Sequence, residues 1–213
     1  SLVRVGVARH GLLDRQGDIL ANHGIHVAGT DFDQSVNLAA IMPELGFGSL
    51  GPADTPAAAR RVPGKVYFDL ATWHLINTVY NHNRVIELRE MVSMYGDLLR
   101  YRRLMHVVTR RLGHHLAALA EQAKIDVAMT GAARIDLSQV EEALAVSFAE
   151  AQQAEALRDR VQRIVDTAEE TLRQAGLERE QVGALYFTGG STGLQFLTGQ
   201  IAACFPKAER VSG

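Results

Sequence analysis

Ala184-Leu185-Tyr186-Phe187-Thr188-Gly189-Gly190-Ser191-Thr192, with an apolar helical pattern continuing to Cys204, reads as a strand, a glycine turn and a helix start. Two adjacent glycines without Cβ atoms let the backbone approach a ligand closely, and the free N–H groups of a helix start favour negative charge such as a phosphate. This is nucleotide-binding architecture, although many strand-to-helix turns carry glycine for steric reasons alone.

Working outward, the N-terminal end also alternates like β-structure: Leu2 to Val7, a polar turn near Asp14 to Asp18, Ile19 to Ala21, then His26 to Ala28. The chain opens at Ser1 directly into this alternation, which suggests a piece of a longer protein. Asp31 and Asp33 then stand in the first turn of a helix whose apolar spacing runs through Phe32, Val36, Ala40 and Leu45, where the dipole favours acids; Pro43 ends or kinks it. Glycine and proline punctuate 46–64, a surface excursion. Helices are predicted over Leu70 to Tyr80, Val85 to Leu99, and Arg100 to about Ala128, the last with a buried stripe of Leu104, Val107, Val108, Leu112, Leu116 and Leu119 and a weak point at Gly113. Ser138-Gln139-Val140-Glu141 is a capping-box pattern that predicts a helix to about Ala151. A further helix carries Leu157, Val161, Val165 and Leu172 on one face and closes at Gly176.

The 213 residues, 47% hydrophobic and 22% charged, are enough to bury a core. No apolar run approaches the roughly 20 residues of a membrane span, so a soluble, cytoplasmic protein is expected. The net charge of −2 gives no global drive toward nucleic acid or an anionic membrane. Arginines gather at 100–111, read as a solvated face or an interdomain contact. Eight histidines show no metal-ligand spacing, and the single cysteine, Cys204, lies on an apolar pattern as a packed small hydrophobe. Trp73 with Phe68, Leu70, Leu75 and Tyr80 reads as a packing cluster.

Three segments stand in a familiar order and approximate spacing. Ala28-Gly29-Thr30-Asp31-Phe32-Asp33 is similar to a Gly-Gly-Glu-Asp-Phe-Asp motif, Ala120-Glu121-Gln122-Ala123-Lys124 to a helical Cys-Glu-x-Ala-Lys, and Thr188 to Thr192 to a Gly-Gly-Ser-Thr. Together they resemble the DnaK-type heat-shock chaperones of the actin-like ATPase superfamily, and Leu38 to Gly48 with Asp69 to His74 resemble the YegD-like branch. The resemblance implies an α/β fold, the second lobe of an actin-like, ribonuclease-H-like ATPase. It would have a small mixed sheet with flanking helices from 1–28 and 153–213, and a helix-rich inserted subdomain from 29–152. The implied cofactor is ATP or ADP with Mg. The implied partners are a first lobe of the same chain, unfolded client proteins and co-chaperones. The phosphate loop, the magnesium ligands and the catalytic groups would belong to that first lobe, so no catalytic residue is expected here.

By the same resemblance Gly29 approaches the phosphates, Thr30 stands where the family has glutamate, and Glu121 with Lys124 hydrogen-bond the ribose hydroxyls. Three apart on a helix, these two share a face and offer an acceptor and a donor; an exposed intrahelical ion pair is the alternative. Gly189 and Gly190 border ribose and α-phosphate, and Ser191 contacts the base or caps its helix. Ile125 and Gly193 occupy the places of two arginines that hold adenine in the chaperones, and Ala128 replaces a serine. Losing two cation–π contacts of about 0.5–2 kcal/mol each implies looser base selectivity. Competing readings are a lobe of a sugar or acetate kinase, a filament-forming actin relative, or a non-enzymatic helical protein-interaction module.

Overall fold

The computed structural model describes residues 1–213 except His10, Leu12, 54–59 and Gly213; the side chains of Ser191, Thr192 and Ser212 also lie outside the described residues. Strands β1 (Leu2–Val3) and β2 (Ile19–Ala21) precede helices α1 (Gly29–Val36), α2 (Lys65–Ala71), α3 (Ile76–Val79), α4 (His82–Glu90), α5 (Leu98–Arg110) and α6 (Gly113–Thr130). Then follow β3 (Ala132–Asp136), β4 (Ala145–Ala149), α7 (Glu150–Ala175), β5 (Ala184–Phe187), α8 (Gln195–Cys204) and β6 (Glu209–Ser212). The architecture is mixed α/β. The chain divides into two compact units, 1–28 with 158–213 and 29–157, and the division falls inside α7.

In the terminal unit β1 pairs antiparallel with β2, and β5 pairs parallel with β6 from Ala184 opposite Glu209 to Phe187 opposite Ser212. Among the described residues the strands form three two-stranded sheets rather than the one mixed sheet expected. His26 to Ala28 form no strand. Strand β6 was not predicted, because Glu209-Arg210-Val211-Ser212 shows no apolar alternation. Leu172, Val182 and Phe205 make the small core here, with Leu2, Leu185, Ile201 and Cys204 against it. Cys204 is thus packed as its position predicts. At the end of α7, Gly176 takes φ +66°, and the Leu177 N–H donates to the Leu172 carbonyl at 3.2 Å, a Schellman-type closure.

The helix-rich unit buries one apolar cluster that runs from Val36 and Met42 through Tyr67, Leu70, Leu104 and Leu116 to Ile135 and Phe148. Four predicted helices are corrected. The one expected over Leu70 to Tyr80 is split, because α2 ends at Ala71 with Thr72 extended and the short α3 begins only at Ile76. The pattern expected over 85–99 breaks after Glu90, because Asp97 starts a new helix: its carboxylate accepts from the Leu99 and Arg100 N–H groups. The long helix expected to Ala128 is two helices, divided where Arg111 turns left-handed at φ +56°. The capping-box helix is absent. In its place β3 and β4 form a hairpin, Ala133 opposite Phe148, because Ala133, Ile135 and Leu137 are buried at a period of two. The Ser138 N–H is taken by the Asp136 carboxylate at 2.9 Å.

The excursion at 46–64 has paired flanks, with the Gly51 N–H donating to the Arg60 carbonyl at 2.8 Å; its tip, 54–59, lies outside the described residues. Arg103, in the stretch expected to be a solvated face or an interdomain contact, is instead nearly buried and paired within its own unit. It bridges Glu141 through Nε and Nη2 and Glu44 through Nη1 at 2.8–2.9 Å, tying α5 to the hairpin loop and to the turn after α1. Among the described residues no helix is long and apolar enough to cross a membrane.

At the start of α6 space demands glycine. The Gly113 N–H donates to Tyr80 Oη at 2.8 Å, and a Cβ at Gly113 would lie 2.6 Å from both Ile76 Cγ2 and Tyr80 Oη. Ala gains at most about 1 kcal/mol of helix propensity over Gly, whereas overpacking costs roughly 1–3 kcal/mol. Gly113→Ala is therefore expected to lower unfolding stability by about 1–2 kcal/mol in urea denaturation; an unchanged or raised stability would contradict this packing.

Candidate functional site

Thr30, Asp33 and Asn37 follow the i, i+3, i+7 spacing of one helix face, and Ala117, Glu121 and Lys124 follow i, i+4, i+7 on another. Packing α1 on α6 brings these two stripes together. Lys124 Nζ lies 2.5 Å from Asp33 Oδ1, with both side chains largely buried. Lys124 is therefore neither exposed nor paired with Glu121, its intrahelical neighbour.

Burial is the largest influence on the Asp33 carboxyl and raises its pKa; the hydrogen bond and charge of Lys124 oppose this, and the nearby charge of Glu121 adds to the rise.

Thr30, Asp33, Asn37, Ala71, Trp73, Ala117 and Glu121 enclose a cavity of about 210 Å³. Its floor is buried and its rim open: Asn37 is 1% exposed, whereas Thr30, Glu121 and Trp73 are exposed. Asn37 opens a π turn, Asn37–Ile41, that widens the backbone just after α1. Trp73 follows the end of α2 and is 58% exposed, which corrects its expected place in a packing cluster. Its ring meets the His114 ring edge-on at 4.7 Å. Gln34 Nε2 donates to Thr72 Oγ1 at 2.5 Å, which steadies the turn that carries the tryptophan.

In the terminal unit the strand-turn-helix reading is realised in its local parts. β5 leads into Gly189 at φ +96°, a conformation that needs glycine, then a 3₁₀ turn at Gly190–Gly193, then α8. A Cβ added at Gly190 or Gly193 would meet no described heavy atom within 4 Å, so packing does not demand glycine at either. The side chain of Ser191, assigned to base contact or capping, lies outside the described residues.

The structure thus brings Thr30 and Glu121 to one cavity, with Gly29 opening α1 beside it. Gly189, Gly190, Ser191 and Gly193 belong to the other unit. Asp33, Asn37 and Trp73 were not read as site residues from sequence. The polar stripe Thr30, Asp33, Asn37, inside a helix otherwise buried through Phe32 and Val36, was the available signal. Among the described residues no group of three or more His, Cys, Asp or Glu side chains is placed to hold a metal ion. No protein-family model matches the chain.

The raised Asp33 pKa sets a pH dependence. A carboxyl with a folded pKa above its ordinary value near 3.9 contributes fully to stability below that value, and the contribution is lost as pH rises through the folded pKa. Lys124 limits the loss. Removing one member of a buried pair costs roughly 3–5 kcal/mol, less where the survivor can take up a proton. Lys124→Met is expected to fall below the wild-type stability by about 2 kcal/mol at pH 7, with the gap closing toward pH 4. Urea denaturation across this range measures it, and a gap independent of pH would refute the assignment.

Proposed function

We propose that the chain is the adenine-nucleotide-binding second lobe of a chaperone-like ATPase with an actin-like fold, not catalytic by itself. The observation that carries this reading is the meeting of Thr30 and Glu121 at one cavity on α1 and α6, with the Lys124 ammonium one turn further along. A ribose needs an acceptor and a donor. The Glu121 carboxylate is an exposed acceptor, and the exposed Thr30 hydroxyl on the same cavity can donate. Gly189 and Gly190, in the other unit, carry no side chain that would bar a phosphate from the backbone.

In this reading the magnesium, its ligands and the group that activates water come from the first lobe, and closure of the lobes over the nucleotide positions the phosphates and excludes water. Isolated, this lobe neither hydrolyses ATP nor binds it tightly. Ile125 and Gly193 in place of stacking arginines relax base selectivity. Client proteins and co-chaperones as partners follow from the family resemblance.

Calorimetry on the parent protein that contains both lobes tests the reading. ADP is expected to bind, with Glu121→Ala raising its Kd about tenfold, as loss of a charge-assisted hydrogen bond predicts. ADP is also expected to shift the backbone resonances of both Gly190 and Glu121. GTP should compete within about tenfold of ATP, since the two arginine contacts are missing. An absence of nucleotide binding would overturn the proposal in favour of a protein-interaction module, and an unchanged Kd in Glu121→Ala would remove Glu121 from the site.

A further inference from the structure

Trp73 is the unusual side chain of the helix-rich unit, since it is 58% exposed and stands in the wall of a cavity. Tryptophan is highly buried on average, so one this open is informative. Its place is fixed from two sides. The His114 ring meets the indole edge-on at 4.7 Å, and the turn before it is tied to α1 by Gln34 Nε2 donating to Thr72 Oγ1. An indole held in this way needs little further ordering when a flat partner lands on it, which lowers the entropy cost of binding.

We propose that the base of the nucleotide stacks on Trp73 while Glu121 and Thr30 hold its ribose at the rim, an inference that rests on the nucleotide reading above. Two directions are open to a base whose ribose sits on Glu121. Along α6, Ile125 and Ala128 lie four and seven residues after Glu121, and Ala117 lies four before it. The cavity extends to the Ala117 side. Its walls include Ala71, Trp73 and Ala117, and among the described residues neither Ile125 nor Ala128 lines it. The indole and the two alanines offer apolar surface for a flat ring. Size agrees: a cavity of about 150 Å³ accommodates a benzene ring, so about 210 Å³, open at the rim, takes the base and leaves the sugar at the mouth.

The base then points toward the opposite end of α6 from the one that the chaperone resemblance implies. Stacking on an aromatic ring tolerates any base, because every base has a π-face. Trp73 thus replaces the affinity that two arginines would supply without restoring a choice of base. In this arrangement the Glu121 carboxylate meets sugar hydroxyls and a neutral base, and the phosphates leave through the open rim.

Calorimetry and fluorescence of the two-lobed parent protein with ADP test the stack. Trp73→Ala is expected to raise the ADP Kd at least about fivefold, whereas Trp73→Phe, which keeps a ring, stays within about twofold of wild type. ADP is expected to quench tryptophan emission, and because Trp73 is the only tryptophan of these 213 residues, Trp73→Phe removes this lobe's share of the quench. Ala117→Leu, which fills the cavity from α6, should also weaken ADP, and it serves where Trp73→Ala does not fold. ADP binding with an unchanged Kd in Trp73→Ala or Ala117→Leu, or a full quench in Trp73→Phe, would overturn the stack and leave the nucleotide reading standing. No ADP binding by the wild-type parent would instead remove that reading, and the stack with it.

Discussion

The ion pair between Lys124 and Asp33 is the constraint from which the helix-rich unit takes its useful geometry. Both side chains are largely withdrawn from water, and separating them would strand a charge in a poorly solvated place. Helices α1 and α6 must therefore keep the register that holds them together. That register sets Thr30 and Asn37 facing Ala117 and Glu121 and leaves a gap between them. Apolar packing through Val36, Leu116 and Ala120 supplies most of the cohesion, but it tolerates sliding in a way that a short ion pair does not. Arg103 plays a comparable part on the other side of α5, where one guanidinium joins two acidic side chains distant in sequence.

Local chemistry with a single strong signal was legible in the sequence. Gly176 ends α7, Gly189 turns the chain after β5, and Cys204 packs against the small core, each for the reason its residue type predicts. Helix boundaries that depend on competition between signals were not. Ser138 and Glu141 have the right spacing for a capping box, but the period-two burial of Ala133, Ile135 and Leu137 and the Asp136 carboxylate on the Ser138 N–H favour a hairpin. Gly113 reads as a weak point, yet the helix divides at Arg111, and Gly113 opens α6 where Ile76 and Tyr80 leave no room for a Cβ. Parallel pairing of β5 with β6 has no local signature and rests on the partner strand.

The candidate site was half legible. Glycines and the Glu121–Lys124 spacing stand out in a linear reading, because backbone approach and shared helix faces are local properties. The partner of Lys124 is not local, since Asp33 lies on another helix, and so the lysine was read as a ligand contact or a surface pair. Trp73 is informative only once its exposure is known, since a tryptophan among apolar residues in sequence is usually packed.

The cavity depends on α1 and α6 being locked by one charge pair, and a double-mutant cycle measures that lock without reference to any ligand. Unfolding free energies of wild type, Asp33→Asn, Lys124→Met and the double variant at pH 7 give the coupling between the two side chains. A coupling above about 1 kcal/mol is predicted. Additive effects of the two substitutions would mean that the pair does not set the register, and the cavity would lose its structural basis.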